Sequence, residues 1–152
     1  YETADASFEL LARRKLGFVP EFFKVDSFRV QVERRFNAVG EVITVSEAVV
    51  KLTIGEKSVL SVAEGNGPVN ALDNALRKDL GIFQDKIKGL ELVDYKVRIL
   101  NGGTEAITRV LIDSLDDAGE RWTTVGVSDN IIDASFQALI DSINYKLMKS
   151  DN

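Results

Sequence analysis

The sequence predicts an α+β fold of two similar units, each with three antiparallel strands followed by one helix. Apolar residues alternate with a period of two over several short stretches separated by turn residues, which is typical of antiparallel strands. Each group of such stretches leads into a segment whose apolar residues recur with a helical period. The second group repeats the order of the first, so the chain carries an internal duplication.

Composition is that of an ordinary globular chain. The sequence has 152 residues, 45% of them hydrophobic and 28% charged, with a formal net charge of −5. One compact domain is therefore the default, and a nucleic-acid or anionic membrane surface is disfavoured. No apolar stretch approaches the roughly 18 residues that span a bilayer, and no signal peptide is recognisable. The absence of cysteine favours a cytoplasmic location.

The chain also contains no histidine. The usual zinc ligands and the Ser-His and Cys-His nucleophile pairs are therefore missing. Catalysis would have to rest on carboxylates, lysine or the backbone, and no catalytic pair of carboxylates is recognisable. The sequence predicts neither a catalytic residue nor a metal site in this chain.

The first repeat follows a predicted helix from Ala6 to Leu16. Its predicted strands begin near Ser27, run from Glu47 to Ile54 and run from Lys57 to Ala63. They lead into a helix that starts at Pro68 and carries an apolar stripe of Val69, Leu72, Leu76 and Leu80. A polar and partly helical connector, residues 81–89, follows.

The second repeat is predicted over strands Val93 to Leu100, Ala106 to Asp113 and Arg121 to Val127, with a turn at residues 101–103 and a helix from near Asn130. When Asn70 is aligned with Asp133, the apolar positions of the two helices coincide. We predict a linker helix and connector over residues 1–24 and a two-repeat domain over 25–150, with repeats at about 25–90 and 91–150.

A glycine-rich elbow, Glu64 to Pro68, joins strand to helix in the first repeat. We expect Gly65 and Gly67 to permit a backbone approach that a side chain would block. The helix N-terminus behind them has free donors and a partial positive charge, which suit a carboxylate or a phosphate. The alternative is a tight connection with nothing bound, which the motif alone favours. The second elbow, Val127 to Ile131, has Ser128 or Asp129 available as a helix cap, so the first elbow is the stronger binding candidate.

Four separated motifs follow one another in the chain: Gly65 to Leu76, Leu92 to Tyr95, Gly103 to Ala106 and Trp122 to Ser135. Together they resemble the C-terminal allosteric domain of the 2-isopropylmalate synthase and citramalate synthase family. The segment from Ala138 to Leu147 is most similar to citramalate synthases, and Ala6 to Arg14 resembles the linker helix of the family. The resemblance covers nearly the whole chain.

The resemblance implies a feedback sensor that dimerises and binds a branched-chain amino acid. In the family, an upstream TIM barrel holds a divalent metal and performs the catalysis, and in citramalate synthases it condenses acetyl-CoA with pyruvate. That barrel is not part of this chain, which is expected to need no cofactor. The citramalate branch implies isoleucine as effector; a leucine sensor and a dimerisation module without ligand stay open.

Positions that match the effector pocket of the family fall in two groups: Gly65, Asn66, Gly67, Pro68 and Val69 at the elbow, and Leu92, Asp94, Tyr95, Ile99 and Thr108 in the second repeat. A free amino acid presents a carboxylate, an ammonium group and an aliphatic side chain to such a site. Residues such as Val69, Leu92 and Ile99 are more often plain core than pocket lining, and Asp94 either neutralises the ammonium or starts a strand. A phosphate-binding enzyme is the rival from another class, but the elbow lacks the lysine of a P-loop.

Overall fold

The chain divides into two compact units. The computed structural model describes residues 4–78, 80–101 and 106–150. The first unit is Phe22–Gln84, and the second unit combines Tyr1–Glu21 with Asp85–Asn152. The predicted turn after Asn101 lies outside the described residues. No helix of the described part is long and apolar enough to cross a bilayer.

The helices and strands follow one another in the order that the sequence predicts. In chain order they are α1 (Asp5–Lys15), β1 (Lys24–Phe36), β2 (Val42–Ile54), β3 (Lys57–Gly65), α2 (Pro68–Lys78), a 3-10 turn (Gly81–Phe83), α3 (Gln84–Ile87), β4 (Glu91–Asn101), β5 (Ala106–Leu115), β6 (Arg121–Ser128) and α4 (Ile131–Ser150). Two separate antiparallel sheets result, ordered β1-β2-β3 and β4-β5-β6. The predicted fold class is therefore confirmed.

The strands are longer than their alternation patterns suggest. β2 begins at Val42 rather than at the predicted Glu47, because its pairing with β1 continues up to the pair of Phe36 with Val42. A short turn at residues 37–40 closes this long hairpin, with the Asn37 side chain accepting the N–H groups of Val39 and Glu41.

One helix covers one face of each sheet. In the first unit, Val50 and Leu52 of β2 are fully buried on the side of α2, whose Leu72 and Leu76 are fully buried as well. Burying a side chain of this size contributes about 1.5–3 kcal/mol. The second unit repeats the arrangement, with Val110 and Ile112 of β5 on the side of α4 and its Ala138, Leu139 and Ile143. The strand alternation thus fixes which face of each sheet meets its helix.

The internal duplication extends to individual hydrogen bonds. Two kinds of bond join the strand that precedes the helix to the helix itself, and each recurs where the alignment of Asn70 with Asp133 predicts it. In the first kind, a strand hydroxyl donates to a helix carbonyl at 2.7 Å, Ser61 Oγ to Ala75 O and Thr124 Oγ1 to Ala138 O. In the second kind, a helix amide donates to a strand carbonyl, Asn74 Nδ2 to Glu64 O at 3.0 Å and Gln137 Nε2 to Val127 O at 3.1 Å. The alignment of the two repeats therefore holds residue by residue from strand to helix.

Candidate functional site

The first elbow brings the end of β3 close to the start of α2. A Cβ built on Gly65 would lie 2.4 Å from the Ala71 nitrogen and 2.7 Å from its Cα. Backbone atoms at that distance cannot move aside for a side chain, so the predicted need for glycine at position 65 is confirmed. Pro68 is the first residue of α2, where the helix has no use for its missing N–H.

Gly67 behaves differently from Gly65. A Cβ built on it would meet no atom within 4 Å, and its φ lies outside the left-handed region. No described atom of the chain therefore requires a glycine at position 67, which lies directly before the first helical residue. Its predicted role, to leave room for a ligand, stays a prediction.

Two N–H groups of the first helical turn stay open at this elbow. The Asn70 side chain accepts the Asn66 N–H at 3.0 Å, and the Ala71 N–H donates to Gly67 O at 2.9 Å. Within the described part of the chain, the N–H groups of Val69 and Asn70 find no acceptor. Together with the positive end of the helix dipole, they form a place for an acceptor with negative charge.

The second elbow supplies its own acceptor. Asn130 Oδ1 accepts the N–H of Ile132 at 2.8 Å and the N–H of Asp133 at 3.2 Å. The prediction of Ser128 or Asp129 as the cap is wrong because α4 begins at Ile131, so the N-cap position falls on Asn130. Ser128 Oγ instead accepts the N–H of Asn130 at 3.2 Å.

The two elbows can be compared position by position. In the alignment of the two repeats, Gly67 corresponds to Asn130, and Val69 and Asn70 correspond to the two residues whose N–H groups Asn130 accepts. The second repeat therefore caps itself at the very position where the first repeat has no side chain. Of the two elbows, the first is the one that leaves its helix donors to an acceptor from outside.

Three of the predicted site residues lie at the start of β4. Leu92 and Asp94 flank an irregularity in the pairing of β4 with β5. Asp94 Oδ1 accepts the N–H of Tyr95 at 2.9 Å, and Asp94 Oδ2 lies 3.6 Å from Lys96 Nζ. The Tyr95 hydroxyl forms a 2.8 Å hydrogen bond with Ser135 Oγ of α4. Both Asp94 and Tyr95 therefore have local structural partners. The role of Asp94 toward an ammonium group and the place of Tyr95 in the effector pocket stay predictions.

The other two predicted residues lie beside the second elbow. Ile99 pairs with Thr108, and Thr108 pairs with Ser128, the last residue of β6. Thr108 is buried, whereas the Ile99 side chain is 63% exposed and thus no part of the core. These residues belong to the second unit and the elbow group of Gly65 to Val69 belongs to the first, so a pocket shared by both groups stays a prediction.

Two asparagines at the elbows were missed by the sequence reasoning. Asn70 holds the elbow by accepting the Asn66 N–H, and Asn130 closes the second elbow. A signal for Asn130 was present, because the alignment of Asn70 with Asp133 also aligns Asn130 with Gly67. For Asn70 the signal was its position in the first turn of the helix, four residues after Asn66. A side chain at that position can reach back to the amides that precede the helix.

Comparison with known proteins assigns the chain to a family. The LeuA allosteric (dimerisation) domain family matches residues 2–147. The chain belongs to that family. The (R)-citramalate synthases of Geobacter sulfurreducens and Aquifex aeolicus are 52% and 47% identical to it over 99% of the chain. The 2-isopropylmalate synthase of Methanocaldococcus jannaschii is 38% identical over 68% of the chain.

This LeuA allosteric domain chain is shorter than the relatives it matches. It spans 28% of the length of the two citramalate synthases and 19% of the length of the M. jannaschii enzyme. The expected family and the expected similarity to citramalate synthases are both confirmed.

Proposed function

We propose that this chain is the regulatory domain of a citramalate synthase and that it binds isoleucine as a feedback inhibitor. The observation that carries the proposal is the open first elbow, where the N–H groups of Val69 and Asn70 have no acceptor among the described residues. Membership in an allosteric domain family and the citramalate synthase names of its relatives support the choice of effector.

The carboxylate of the amino acid accepts these two N–H groups in place of the side chain that Asn130 provides in the second repeat. Hydrogen bonds to a charged group contribute about 1.5–3 kcal/mol each, and the helix dipole adds to them. Every amino acid has the same carboxylate, so the elbow supplies affinity without selectivity.

Selectivity for isoleucine arises at apolar residues. We assign this part to Val69 at the elbow and to Leu92, Tyr95, Ile99 and Thr108 of the second repeat, with Asp94 as the partner of the ammonium group. Isoleucine and leucine differ in the position of one methyl group, a difference worth about 1–3 kcal/mol in an apolar pocket. Isoleucine should therefore bind several-fold to a hundred-fold more tightly than leucine.

The domain acts as a homodimer in the cytoplasm, joined through α1 to a catalytic TIM barrel of the same polypeptide. The barrel supplies the divalent metal and the condensation of acetyl-CoA with pyruvate, while isoleucine binding at the dimer lowers its rate. Neither catalytic residues nor a metal site is assigned to the chain described here.

Isothermal titration calorimetry of the whole chain with isoleucine, leucine, valine and ATP separates the possible functions. The proposal predicts saturable binding of isoleucine, weaker binding of leucine and no binding of ATP. Tighter binding of leucine would assign the chain to the isopropylmalate branch, and binding of ATP alone would favour a phosphate site. Binding of none of the four would leave dimerisation as the function.

A further inference from the structure

The side of α1 that faces away from α4 and β6 is largely apolar. Phe8 is 60% exposed and Leu11 is 49% exposed. Residues three, four and seven places after Phe8 share its side of the helix. We call this side, together with two residues just beyond the helix, the outer face of α1; it consists of Phe8, Leu11, Ala12, Lys15, Leu16 and Phe18.

The opposite side of α1 is built into the second unit. Ala6 and Leu10 are buried there against α4 and β6. Ser7 Oγ donates to Asp141 Oδ2 of α4 at 2.8 Å and accepts the Val125 N–H of β6 at 2.9 Å. One hydroxyl thus ties the helix to both neighbouring elements, so α1 is a fixed part of this unit.

α1 also covers part of the free edge of β6. This strand lies at the edge of its sheet, and its Thr123 N–H donates to Asp5 Oδ1 at 3.2 Å. Two residues further on, the Val125 N–H meets Ser7 in the same way. The inner residues of α1 are therefore used within the unit, and the outer face is the side that stays open to a partner.

The end of α1 holds the last residue of the outer face in a defined place. Gly17, with φ of 77°, ends the helix in the left-handed conformation. Its N–H donates to Arg14 O at 3.1 Å and the Phe18 N–H donates to Arg13 O at 2.9 Å, the two bonds of a Schellman motif. Leu16 and Phe18 are 67% and 68% exposed. Four large apolar side chains are thus exposed on one fixed element, and such a patch marks an interaction surface.

Lys15 gives the outer face a positive charge. The neighbouring arginines are engaged elsewhere, Arg13 with Glu9 and Arg14 with Asp141, both at 3.5 Å. Lys15 itself has no ion-pair partner in the described part of the chain. The surface that fits this face is therefore apolar and presents a carboxylate to the lysine.

We propose that the outer face of α1 packs on the catalytic barrel of the same polypeptide, with a carboxylate of the barrel opposite Lys15. The inference rests on the proposed function, which joins a barrel to α1, and it names the surface on which the two parts meet. The chain spans 28% of the length of two citramalate synthases, so most of the length of such a protein lies outside it.

A partner in the same polypeptide suits a face of this size. Stable interfaces between separate proteins bury about 800 Å² on each side, whereas α1 has 11 residues and offers one side of them. The covalent link raises the effective concentration of the barrel, so a small contact is enough to hold it.

A second copy of the chain fits the outer face less well. A twofold contact brings the same patch of both copies together, so two Lys15 side chains would enter one apolar interface. The carboxylates of α1 that could neutralise them already have partners, because Asp5 accepts the Thr123 N–H and Glu9 pairs with Arg13.

A single cysteine on the outer face tests the contact. The chain contains no cysteine, so Ala12→Cys introduces its only thiol and leaves the large apolar residues in place. If the contact is open at most a tenth of the time, a maleimide should modify this thiol at least about 10-fold more slowly in the polypeptide with the barrel than in the chain alone. The control Ile82→Cys replaces a residue of the first unit that is 80% exposed, and it should react equally fast in both proteins.

Two further changes in the Ala12→Cys background test the chemistry of the contact. Phe8→Gln removes an apolar side chain but keeps a good helix former, and Lys15→Glu reverses the charge. Each should speed modification at least about threefold in the polypeptide with the barrel. Lys57→Glu makes the same change of charge at an exposed residue of the first unit and should have no effect.

The possible results separate this surface from the proposed effector. Equally fast modification of Ala12→Cys in both proteins would contradict the contact. Slow modification in the chain alone, with a rate that rises on dilution, would assign the outer face to a second copy instead. Slow modification that neither Phe8→Gln nor Lys15→Glu changes would contradict the apolar and charged contact proposed here. The assay contains no isoleucine, so a failure of isoleucine binding would contradict the proposed effector alone.

Discussion

Replacing Gly67 with asparagine should close the first elbow as Asn130 closes the second. The site has room for the side chain, because a Cβ at position 67 meets no atom within 4 Å. From there the asparagine oxygen can accept the N–H groups of Val69 and Asn70, as Asn130 accepts its two at 2.8 and 3.2 Å. Asparagine and glycine differ by only a few tenths of a kcal/mol at an N-cap, so the fold should be retained or slightly stabilised.

The same change should weaken isoleucine binding at least about 10-fold. The asparagine oxygen competes for both N–H groups that the carboxylate needs, and one lost charge-assisted hydrogen bond of about 1.5 kcal/mol already lowers affinity roughly tenfold. In a polypeptide that includes the barrel, G67N should keep its catalytic activity and lose its inhibition by isoleucine.

Calorimetric titration of the wild type, G67N and the reverse variant Asn130→Gly measures this effect. N130G removes the cap of α4 and should lower the free energy of unfolding by a few tenths of a kcal/mol without changing the affinity for isoleucine. Wild-type affinity in G67N would refute the assignment of the Val69 and Asn70 N–H groups to the carboxylate. Equal loss of affinity in both variants would refute the difference between the elbows.

Four further variants test the fold that supports the site. Gly65→Ala should lower the free energy of unfolding by about 1–3 kcal/mol in urea denaturation, because its Cβ would clash with the Ala71 backbone. Ser61→Ala and Thr124→Val should each lower it by about 0.5–1.5 kcal/mol, because they remove equivalent hydrogen bonds. Burial raises the pKa of Asp141 above 3.8, despite its hydrogen bond from Ser7 and the nearby Arg14, so the folded state holds a proton that the unfolded state releases. The stability that Asp141 contributes should therefore fall as the pH rises from below 3.8 through the raised pKa, and Asp141→Asn should remove this part of the pH dependence.

The fold could be predicted because its signals are local. Alternating apolar residues define the strands, and the alignment of Asn70 with Asp133 already places Ser61 on Thr124 and Gly67 on Asn130. The extent of β2 could not be predicted, because its first residues are part of the strand only through their pairing with β1. Likewise, the side-by-side placement of Glu47 and Glu64 arises from cross-strand register, which no local pattern specifies.

The candidate site could be predicted only in part. The motif identified the elbow and the need for glycine at position 65, whereas no described atom of the chain requires a glycine at position 67. Whether a glycine is required depends on the distance to backbone atoms of another element, which the sequence does not contain. The cap at Asn130 was missed because helix starts are uncertain by one or two residues from sequence, and the cap lies at the boundary itself.

Heat denaturation of the wild-type chain with isoleucine or leucine at equal concentration tests the central claim most directly. A ligand that binds only the folded state raises its stability by RT ln(1 + [L]/Kd), so the midpoint reports affinity without any knowledge of the pocket. Isoleucine binding predicts a higher midpoint with isoleucine than with leucine, and a much smaller increase for G67N. An unchanged midpoint with isoleucine at millimolar concentration would contradict the proposal that this domain senses it.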